Sequence, residues 1–263
     1  MRRPTPDLEA LVASGPCALS PDSIQATMKQ AIIIIGGFNS VWPAYLKMAR
    51  DLEDISGARA VGVPLMPWDW WRSGRARNAT AILEKLDETV NWALRKLKAQ
   101  RLVLAGHSAG GVIARLYLSD EPVWGQSYSG RSFVSTLITL GSPHCSHRGS
   151  NTGWYLTDLA NRLVPGSPAA RIVYTLSVAG RQTRACAQGN HTERRAYRSY
   201  SFFGGEEGSW GDGIVPVACA RLAGAEDLIV EGIAHSRKVG RDWYGGSKPI
   251  IRSWWPSDQT HDQ

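Results

Sequence analysis

The feature that most constrains how this chain folds is a glycine-flanked serine that follows a short apolar segment. Residues 101–105 are mostly apolar, residues 106–110 read Gly-His-Ser-Ala-Gly, and an amphipathic segment continues to Leu118. Glycines on both sides of the serine allow a very tight turn, because side chains there would collide with neighbouring backbone. The pattern predicts a buried strand, a sharp turn that exposes the Ser108 hydroxyl, and a helix whose N-terminus points at it. A glycine-rich turn without chemistry is the alternative.

The rest of the chain alternates between strand-like and helix-like segments. Short apolar segments typical of buried strands occupy residues 31–35, 60–65, 102–105, 132–140, 171–178 and 228–233. Helical spacing or helix-like composition marks residues 42–54, a long helix that Asn78 or Thr80 caps, and residues 109–118, 154–163 and 247–254. This alternation predicts an α/β fold, namely a doubly wound, mostly parallel sheet with flanking helices. The strand ends, and with them any site, should gather along one edge.

The length and the element order predict one domain with one core. We expect an α/β domain over residues 31–256, with a lid-like, arginine-containing insertion at about 145–211. Pro, Ser and Asp residues in 1–30 indicate a loosely ordered lead-in, and residues 257–263 read as a polar tail. Because no internal repeat and no linker is visible, we expect no second domain.

Composition excludes several classes of protein. Hydrophobic residues make up 43% of the chain and charged residues 20%, which is typical of a globular protein. No aliphatic run is long enough to span a membrane, and no apolar secretory signal follows the basic N-terminus. We therefore expect a cytoplasmic protein whose four cysteines are reduced and, from their spacing, bind no metal. The net charge of +7 comes without a nucleic-acid-binding motif, so nucleic acid is not an expected partner.

Tryptophan is unusually frequent, with 11 residues in this length. Three of them, Trp68, Trp70 and Trp71, stand together directly after the second predicted strand. We expect them on a loop, where aromatic side chains line a substrate mouth or contact a lipid interface.

Ser108 needs a base, because a serine hydroxyl is a poor nucleophile until its proton is removed. In a sheet of this type the chain order is serine, then acid, then histidine. His235 follows the last predicted strand, where a loop would bring its imidazole over the serine turn. His144, beside a proline after an earlier strand, is better suited to a structural role, and His191 lies in the polar excursion.

The best candidate for the acid is Asp212, which has a glycine on each side. A carboxylate on such a sharp turn can reach sideways to an imidazole Nδ1, and Asp212 falls between the serine and the histidine in the chain. An ordinary Asp-Gly turn is the alternative reading. Glu226 and Asp227 are the fallback at the start of a strand, and Asp158, on a predicted helix, is weaker.

Two backbone N–H groups should face the oxygen that becomes negative during the reaction. Ala109, the residue after the serine, should supply one, and Phe38 in the loop after the first strand should supply the other, with Asn39 as an alternative. Glycine at 37 lets this backbone approach a substrate. We assign Gly37, Asn39 and His107 to substrate binding, together with the three tryptophans.

Four segments carry a resemblance to a known family. They are Gly106–Gly111, Thr139–His144, Gly211–Pro216 and Gly232–Ser236. Together they resemble the α/β-hydrolase superfamily in its lipase/esterase-like branch, over about residues 31–256. Similar serine, aspartate and histidine stretches, and one like Trp243–Gly246, occur in little-characterised hydrolases of cyanobacteria and plastids. Many lipases have His-Gly after the first strand, whereas this chain has Gly-Gly, a difference that affects how the Phe38 amide is placed.

The resemblance implies a serine hydrolase that cleaves carboxylic esters through a Ser-His-Asp triad and needs no metal or organic cofactor. Its substrate would be a small-molecule or lipid ester, and the tryptophans suggest peripheral contact with an internal membrane. An acyltransferase or a thioesterase with the same triad is one alternative. A non-catalytic binding module on a hydrolase fold is another.

Overall fold

The structure, a computed structural model, describes residues 29–128, 132–145, 155–168 and 173–256. Residues 1–28 of the predicted lead-in (1–30) and the predicted tail from residue 257 lie outside these ranges.

The described residues form a doubly wound parallel sheet, as the sequence predicts. Their strands are β1 (Gln30–Ile35), β2 (Arg59–Gly62), β3 (Arg101–His107), β4 (Val134–Leu140), β5 (Tyr174–Arg181), β6 (Thr183–Arg184), β7 (Trp210–Gly211) and β8 (Glu226–Glu231). Six of them pair in parallel in the order β2–β1–β3–β4–β5–β8, and β6 pairs antiparallel with β7. The chain reverses its winding direction between β2 and β3, so loops at the carboxyl ends of β1 and β3 open beside each other.

Helices cover both faces of the sheet. They are a 3₁₀ turn (Trp42–Tyr45), α1 (Leu46–Ser56), α2 (Pro67–Ala76), α3 (Thr80–Lys96), α4 (Ala109–Tyr117), α5 (Tyr155–Leu163), α6 (His191–Ser201), α7 (Val217–Ala220) and α8 (Lys248–Arg252). Alternate residues of β1 face opposite sides, since Ile33 packs with apolar residues of α3 and α4 while Ile34 packs with those of α1 and α8. Both isoleucines are fully buried, and residues 31–35 of the strand, all of them buried, are all apolar.

The segment with three tryptophans is a helix, and the prediction that it is a loop was wrong. Proline at position 67 starts α2 with the backbone angle that a helix needs and has no N–H to leave unpaired. The Asp69 carboxylate accepts a hydrogen bond from the backbone N–H of Met66 at 2.8 Å and so caps the helix. Local capping therefore outweighs the loop-like composition of this segment.

The region assigned to an insertion contains part of the main sheet. Strand β5 lies between β4 and β8, so residues 174–181 belong to the central core. The described remainder of this region holds α5, the small β6–β7 sheet and α6. Strand β5 begins later than predicted, while α5 agrees with its prediction to within one residue.

Two cysteines are paired in the structure, contrary to the expectation of reduced thiols. Cys145 follows β4 and Cys219 lies in α7, and a disulfide joins them across a sequence separation of 74 residues. Sequence spacing did not reveal the pair because tertiary packing alone brings the two Cα atoms to 5.0 Å. Cys186 is a free thiol. Within the described ranges, no helix has both the length and the apolar character needed to cross a membrane.

Candidate active site

The turn between β3 and α4 presents Ser108 in a strained conformation. Its backbone angles are φ 54° and ψ −128°, a region that residues with a side chain rarely occupy. Close packing explains the glycines, because a Cβ at 106 would lie 2.4 Å from the Cα of Gly111 and one at 110 would lie 2.2 Å from a carbonyl oxygen. The sharp turn predicted from the sequence is present, and it leaves Ser108 partly exposed.

The structure brings together the three residues predicted to form a proton-transfer chain. Nε2 of His235 lies 2.9 Å from Oγ of Ser108, and Nδ1 of His235 lies 2.8 Å from Oδ2 of Asp212. An ionised carboxylate only accepts, so Nδ1 carries the proton and donates to Asp212. In the neutral ring Nε2 is then a hydrogen-bond acceptor, and it accepts from the hydroxyl of Ser108. The arrangement can deprotonate the serine.

Asp212 is buried and its carboxylate is fully engaged by the protein. Oδ1 accepts from the backbone N–H groups of Ile214 (3.0 Å) and Val215 (2.8 Å). Oδ2, which faces His235, also accepts from the hydroxyl of Tyr244 at 3.0 Å. The next residue, Gly213, has φ +94°, which folds the loop so that its amides point back at the carboxylate. These contacts fix the orientation of the carboxylate relative to the imidazole.

Sequence reasoning did not assign a role to Tyr244. Its hydroxyl accepts from the backbone N–H of Gly180 in β5 at 2.8 Å while it donates to Asp212. Burial, reinforced by the negative charge of Asp212, raises the pKa of Tyr244 well above its ordinary value, so the phenol stays protonated. In the sequence, the Trp243–Gly246 stretch stands out only through the family resemblance.

A second polar chain runs behind the site through His107. Nε2 of His107 lies 2.7 Å from the carbonyl oxygen of His235, and Nδ1 lies 2.8 Å from the hydroxyl of Tyr45. Because a carbonyl only accepts, Nε2 donates, and the Tyr45 hydroxyl donates to Nδ1. That same hydroxyl accepts from the backbone N–H of Gly37 at 3.0 Å. Burial, and then the neighbouring His235, lower the pKa of His107 to about 3, consistent with a neutral ring.

The assignment of His107 to substrate binding was wrong in this structure. Its side chain is buried and both ring nitrogens have protein partners. One partner, Tyr45, lies in the 3₁₀ turn and binds Gly37 in the loop after β1, and the other lies in the loop after β8, so His107 braces two loops that meet at Ser108. A histidine next to a serine turn carries no local sequence signal for this role.

The loop after β1 lies directly beside the serine. A Cβ at Gly37 would lie 2.7 Å from the Cβ of Ser108, so glycine permits this approach. The N–H of Gly37 is taken by Tyr45, whereas no described residue accepts a hydrogen bond from the N–H of Phe38 or Ala109. Asn39 adopts a left-handed conformation with φ 58° in the same turn.

The three tryptophans are divided between the two sides of α2. Trp70 is 1% exposed and meets the Phe38 ring edge-on at 5.9 Å, so the prediction that it lines a mouth was wrong. Trp68 and Trp71 are exposed on the other side of the helix. Trp70 therefore supports the loop that carries Phe38, and the side-chain pattern of α2 follows from helical rather than loop geometry.

The alternative acids and bases do not surround Ser108. His144 is buried, with Nδ1 3.2 Å from Nη1 of Arg115 and Nε2 3.1 Å from the hydroxyl of Thr139, which fits the structural role considered for it. Asp227 accepts from Ser177 and pairs with Arg221 at 2.7 Å. Further from the site, His191 begins α6, Asp158 lies in the first turn of α5, and Glu226 accepts from Tyr174.

Two surface cavities lie away from the serine. One of about 530 Å³ lies beside the Cys145–Cys219 disulfide, and another of about 460 Å³ lies at the amino ends of β1 and β5. Neither is lined by Ser108 or His235, so the side-chain geometry, and not cavity size, locates the candidate site. In the described part of the chain, no group of three or more His, Cys, Asp or Glu side chains is arranged to hold a metal ion.

Comparison with known proteins agrees with this architecture. A family model described as "PGAP1-like alpha/beta domain" matches residues 80–164. A search of curated protein sequences finds no match. Among solved structures, phospholipase PlaB of Legionella pneumophila is similar, with 15% identity, a TM-score of 0.55 and coverage of 88% of this chain and 61% of that one. A Listeria innocua gene product is also similar, with 15% identity, a TM-score of 0.50 and coverage of 88% and 97%.

The parallel sheet and the similar solved structures define the fold. The chain has the α/β-hydrolase fold, and the PGAP1-like family model covers about a third of it. The chain spans less than two thirds of the Legionella phospholipase, and the similarity to that protein concerns the fold.

Proposed function

We propose that this protein is a serine hydrolase that cleaves carboxylic esters through a covalent acyl-enzyme. The observation that carries the proposal is the continuous chain of contacts from Ser108 through His235 to Asp212, with distances of 2.9 and 2.8 Å. The first contact joins residues that are 127 positions apart in the chain, and the second joins residues that are 23 positions apart. The backbone of Ser108 is held in a strained turn at this point. Strain of this kind persists only where the surrounding structure supports it.

In the proposed mechanism Ser108 Oγ attacks the ester carbonyl carbon while His235 Nε2 takes the hydroxyl proton. The tetrahedral intermediate collapses, the bond to the alcohol oxygen breaks, and the imidazolium returns its proton to the leaving alcohol. Water then attacks the acyl-enzyme while His235 takes its proton. The bond between the acyl carbon and Ser108 Oγ breaks, the imidazolium returns the proton to Oγ, and the carboxylic acid leaves. Asp212 keeps the imidazole in the required tautomer and stabilises its cationic form.

The negative oxygen of each tetrahedral intermediate would bind the backbone N–H groups of Phe38 and Ala109. No described acceptor uses either group, and both residues flank the serine, one through Gly37 and one directly along the chain. The α4 N-terminus adds a favourable dipole at this point. Removing one donor from such a site costs about 10²- to 10³-fold in kcat.

Activity and labelling of purified protein would test the proposal. Wild type should hydrolyse short-chain nitrophenyl esters and react with a fluorophosphonate probe. The Ser108→Ala variant should lose at least about 10³-fold in kcat and all labelling while it keeps its circular dichroism spectrum. Ser253→Ala, which changes an exposed serine at the end of α8, is the matched control and should behave as wild type.

The same experiment can contradict the proposal. Equal turnover by wild type and Ser108→Ala, or no labelling of wild type, would favour a binding module on a hydrolase fold. Adding an alcohol and analysing the products identifies the acyl acceptor, because an acyltransferase forms a new ester where a hydrolase releases the acid.

A further inference from the structure

We propose that one face of helix α2 docks on anionic lipid membranes and delivers lipid esters to the Ser108 site. We define this α2 face by its four side chains, Trp68, Trp71, Arg72 and Arg75. Spacings of three, four and seven residues place these side chains on one side of a helix. All four are exposed, and Trp68 and Trp71 have 51% and 59% of their surface in contact with solvent.

The two tryptophans of the α2 face do not pack against the core, because a different side of the helix is buried. Trp70 and Ser73 lie on the opposite side and are the buried residues of this helix. The helix is therefore anchored without Trp68 and Trp71, and their indole rings remain in water. Indole combines an apolar ring with one N–H group, which suits the boundary between lipid headgroups and acyl chains.

The charge of the α2 face favours an anionic surface. No described carboxylate forms an ion pair with Arg72 or Arg75. The acid of this helix, Asp69, is engaged elsewhere, since it caps Met66 and pairs with Lys85 at 2.7 Å. Aromatic residues and unpaired arginines on one exposed helix face are typical of helices that lie in a membrane interface. On the α2 face, the arginines would therefore contact lipid phosphates, and the tryptophans would lie at the boundary with the acyl chains.

The inner side of α2, opposite the α2 face, packs on the loop that meets the serine. Trp70, on the inner side of α2, packs against Phe38, and Phe38 is itself 62% exposed. Gly37, the preceding residue, is in close contact with Ser108. A bilayer that contacts the α2 face would thus be separated from this loop by the helix itself, which is about 10 Å across, and a lipid ester would cross that distance to reach Ser108. This delivery rests on the proposed hydrolase function, whereas docking does not.

Co-sedimentation of the full chain with lipid vesicles tests docking. We expect wild type to bind vesicles of phosphatidylcholine and phosphatidylglycerol, and binding should fall at least tenfold in a Trp68→Ser/Trp71→Ser variant. Trp92→Ser is the matched control, because Trp92 is 42% exposed on α3. It should bind as wild type does. Circular dichroism and urea unfolding should show that each variant is folded.

A second pair of variants tests the contribution of charge. Arg72→Gln/Arg75→Gln should reduce binding to the mixed vesicles by about 10- to 30-fold and leave binding to pure phosphatidylcholine unchanged. Arg194→Gln/Arg198→Gln removes the same charge from exposed positions on α6 and should have a much smaller effect. The Arg72/Arg75 variant should hydrolyse a soluble nitrophenyl ester at the wild-type rate but a vesicle-embedded ester more slowly.

Several outcomes would overturn docking. Docking fails if wild type does not bind the mixed vesicles, or if the Trp68/Trp71 variant binds them as well as wild type does. It also fails if the Trp92 control loses as much binding as the Trp68/Trp71 variant, or the Arg194/Arg198 control as much as the Arg72/Arg75 variant. A vesicle-free dimer that the Trp68/Trp71 substitutions abolish would assign the α2 face to a second copy instead. Binding by Ser108→Ala separates the two proposals: if it binds vesicles and wild type is inactive on all esters, docking stands and the hydrolase function fails.

Discussion

The hydroxyl oxygen of Tyr45 lies 2.8 Å from Nδ1 of His107, and this contact joins the 3₁₀ turn to the end of β3. From Tyr45 the chain reaches the N–H of Gly37, and from His107 it reaches the carbonyl oxygen of His235. The loop after β1, which carries the proposed oxyanion donor Phe38, and the loop after β8, which carries the proposed base His235, are thus connected through two buried side chains. The relative position of the two loops depends on this connection.

Removing the Tyr45 hydroxyl should therefore disturb both loops. We expect Tyr45→Phe to lower kcat on nitrophenyl esters by about tenfold with little change in KM, because the proposed oxyanion donors act mainly in the transition state. It should also lower the free energy of unfolding by about 1–3 kcal/mol, since it leaves the Gly37 N–H without its buried acceptor. Steady-state kinetics and urea unfolding measure the two effects. Tyr197→Phe, at a partly exposed position on α6, should change neither. A kcat within twofold of wild type would contradict the role given to Tyr45.

Tyr244 should affect turnover through Asp212. In Tyr244→Phe the carboxylate loses one hydrogen bond, so its orientation relative to the imidazole is held less firmly. We expect kcat on nitrophenyl esters to fall severalfold with little change in KM, as measured by steady-state kinetics. A residue that only packs the core would lower the free energy of unfolding and leave kcat in place. An unchanged kcat would therefore show that Tyr244 acts by packing alone.

Two buried histidines should make the fold sensitive to acid. Burial lowers the pKa of His107 to about 3 and that of His144 well below its ordinary value of 6.5. Below about pH 6.5 the unfolded chain binds a proton at each site that the folded chain does not bind. The free energy of unfolding should consequently fall as the pH drops below about 6.5 and stay level, as far as these groups are concerned, above it.

A His107→Gln variant should show a weaker dependence on acid. Between pH 5.5 and pH 4 its unfolding free energy should fall less steeply than that of wild type, by up to about 1.4 kcal/mol per pH unit. Urea unfolding at a series of pH values measures the slopes. His191→Gln, on the exposed first turn of α6, is the control and should keep the wild-type slope. Equal slopes for His107→Gln and wild type would show that His107 is protonated in the folded state.

The Cys145–Cys219 disulfide links two residues that are 74 positions apart and closes a loop in the unfolded chain. Because this lowers the conformational entropy of the unfolded chain, the bond should stabilise the fold. Reduction with dithiothreitol, or a Cys145→Ala/Cys219→Ala double variant, should lower the unfolding free energy by about 2–4 kcal/mol and Tm by roughly 5–10 °C. The Cys186→Ala control should remain sensitive to the reductant, whereas the double variant should not respond to it. If dithiothreitol leaves the Tm of wild type unchanged, the bond does not stabilise the fold as expected.

The candidate triad was accessible from the sequence because each member has a local signal. Ser108 stands between glycines after an apolar strand, Asp212 between glycines in a turn, and His235 directly after the last strand, in the order that this type of sheet requires. Tyr45 and Tyr244 have no such signal, since a lone tyrosine on a helix or in a loop is compatible with ordinary core packing. Their contacts bridge sequence separations of 62 and 32 residues.

The amino-acid sequence by itself determined the alternation of strands and helices, the tight serine turn and the residues able to serve as acid and base. These follow from side-chain periodicity and from steric limits on backbone angles, which act between near neighbours. Only the tertiary structure decided that Cys145 pairs with Cys219, that His107 braces two loops and that Trp70 is buried while Trp68 and Trp71 are exposed. The physical reason is that these outcomes depend on which distant segments the packed sheet brings within hydrogen-bonding or covalent distance.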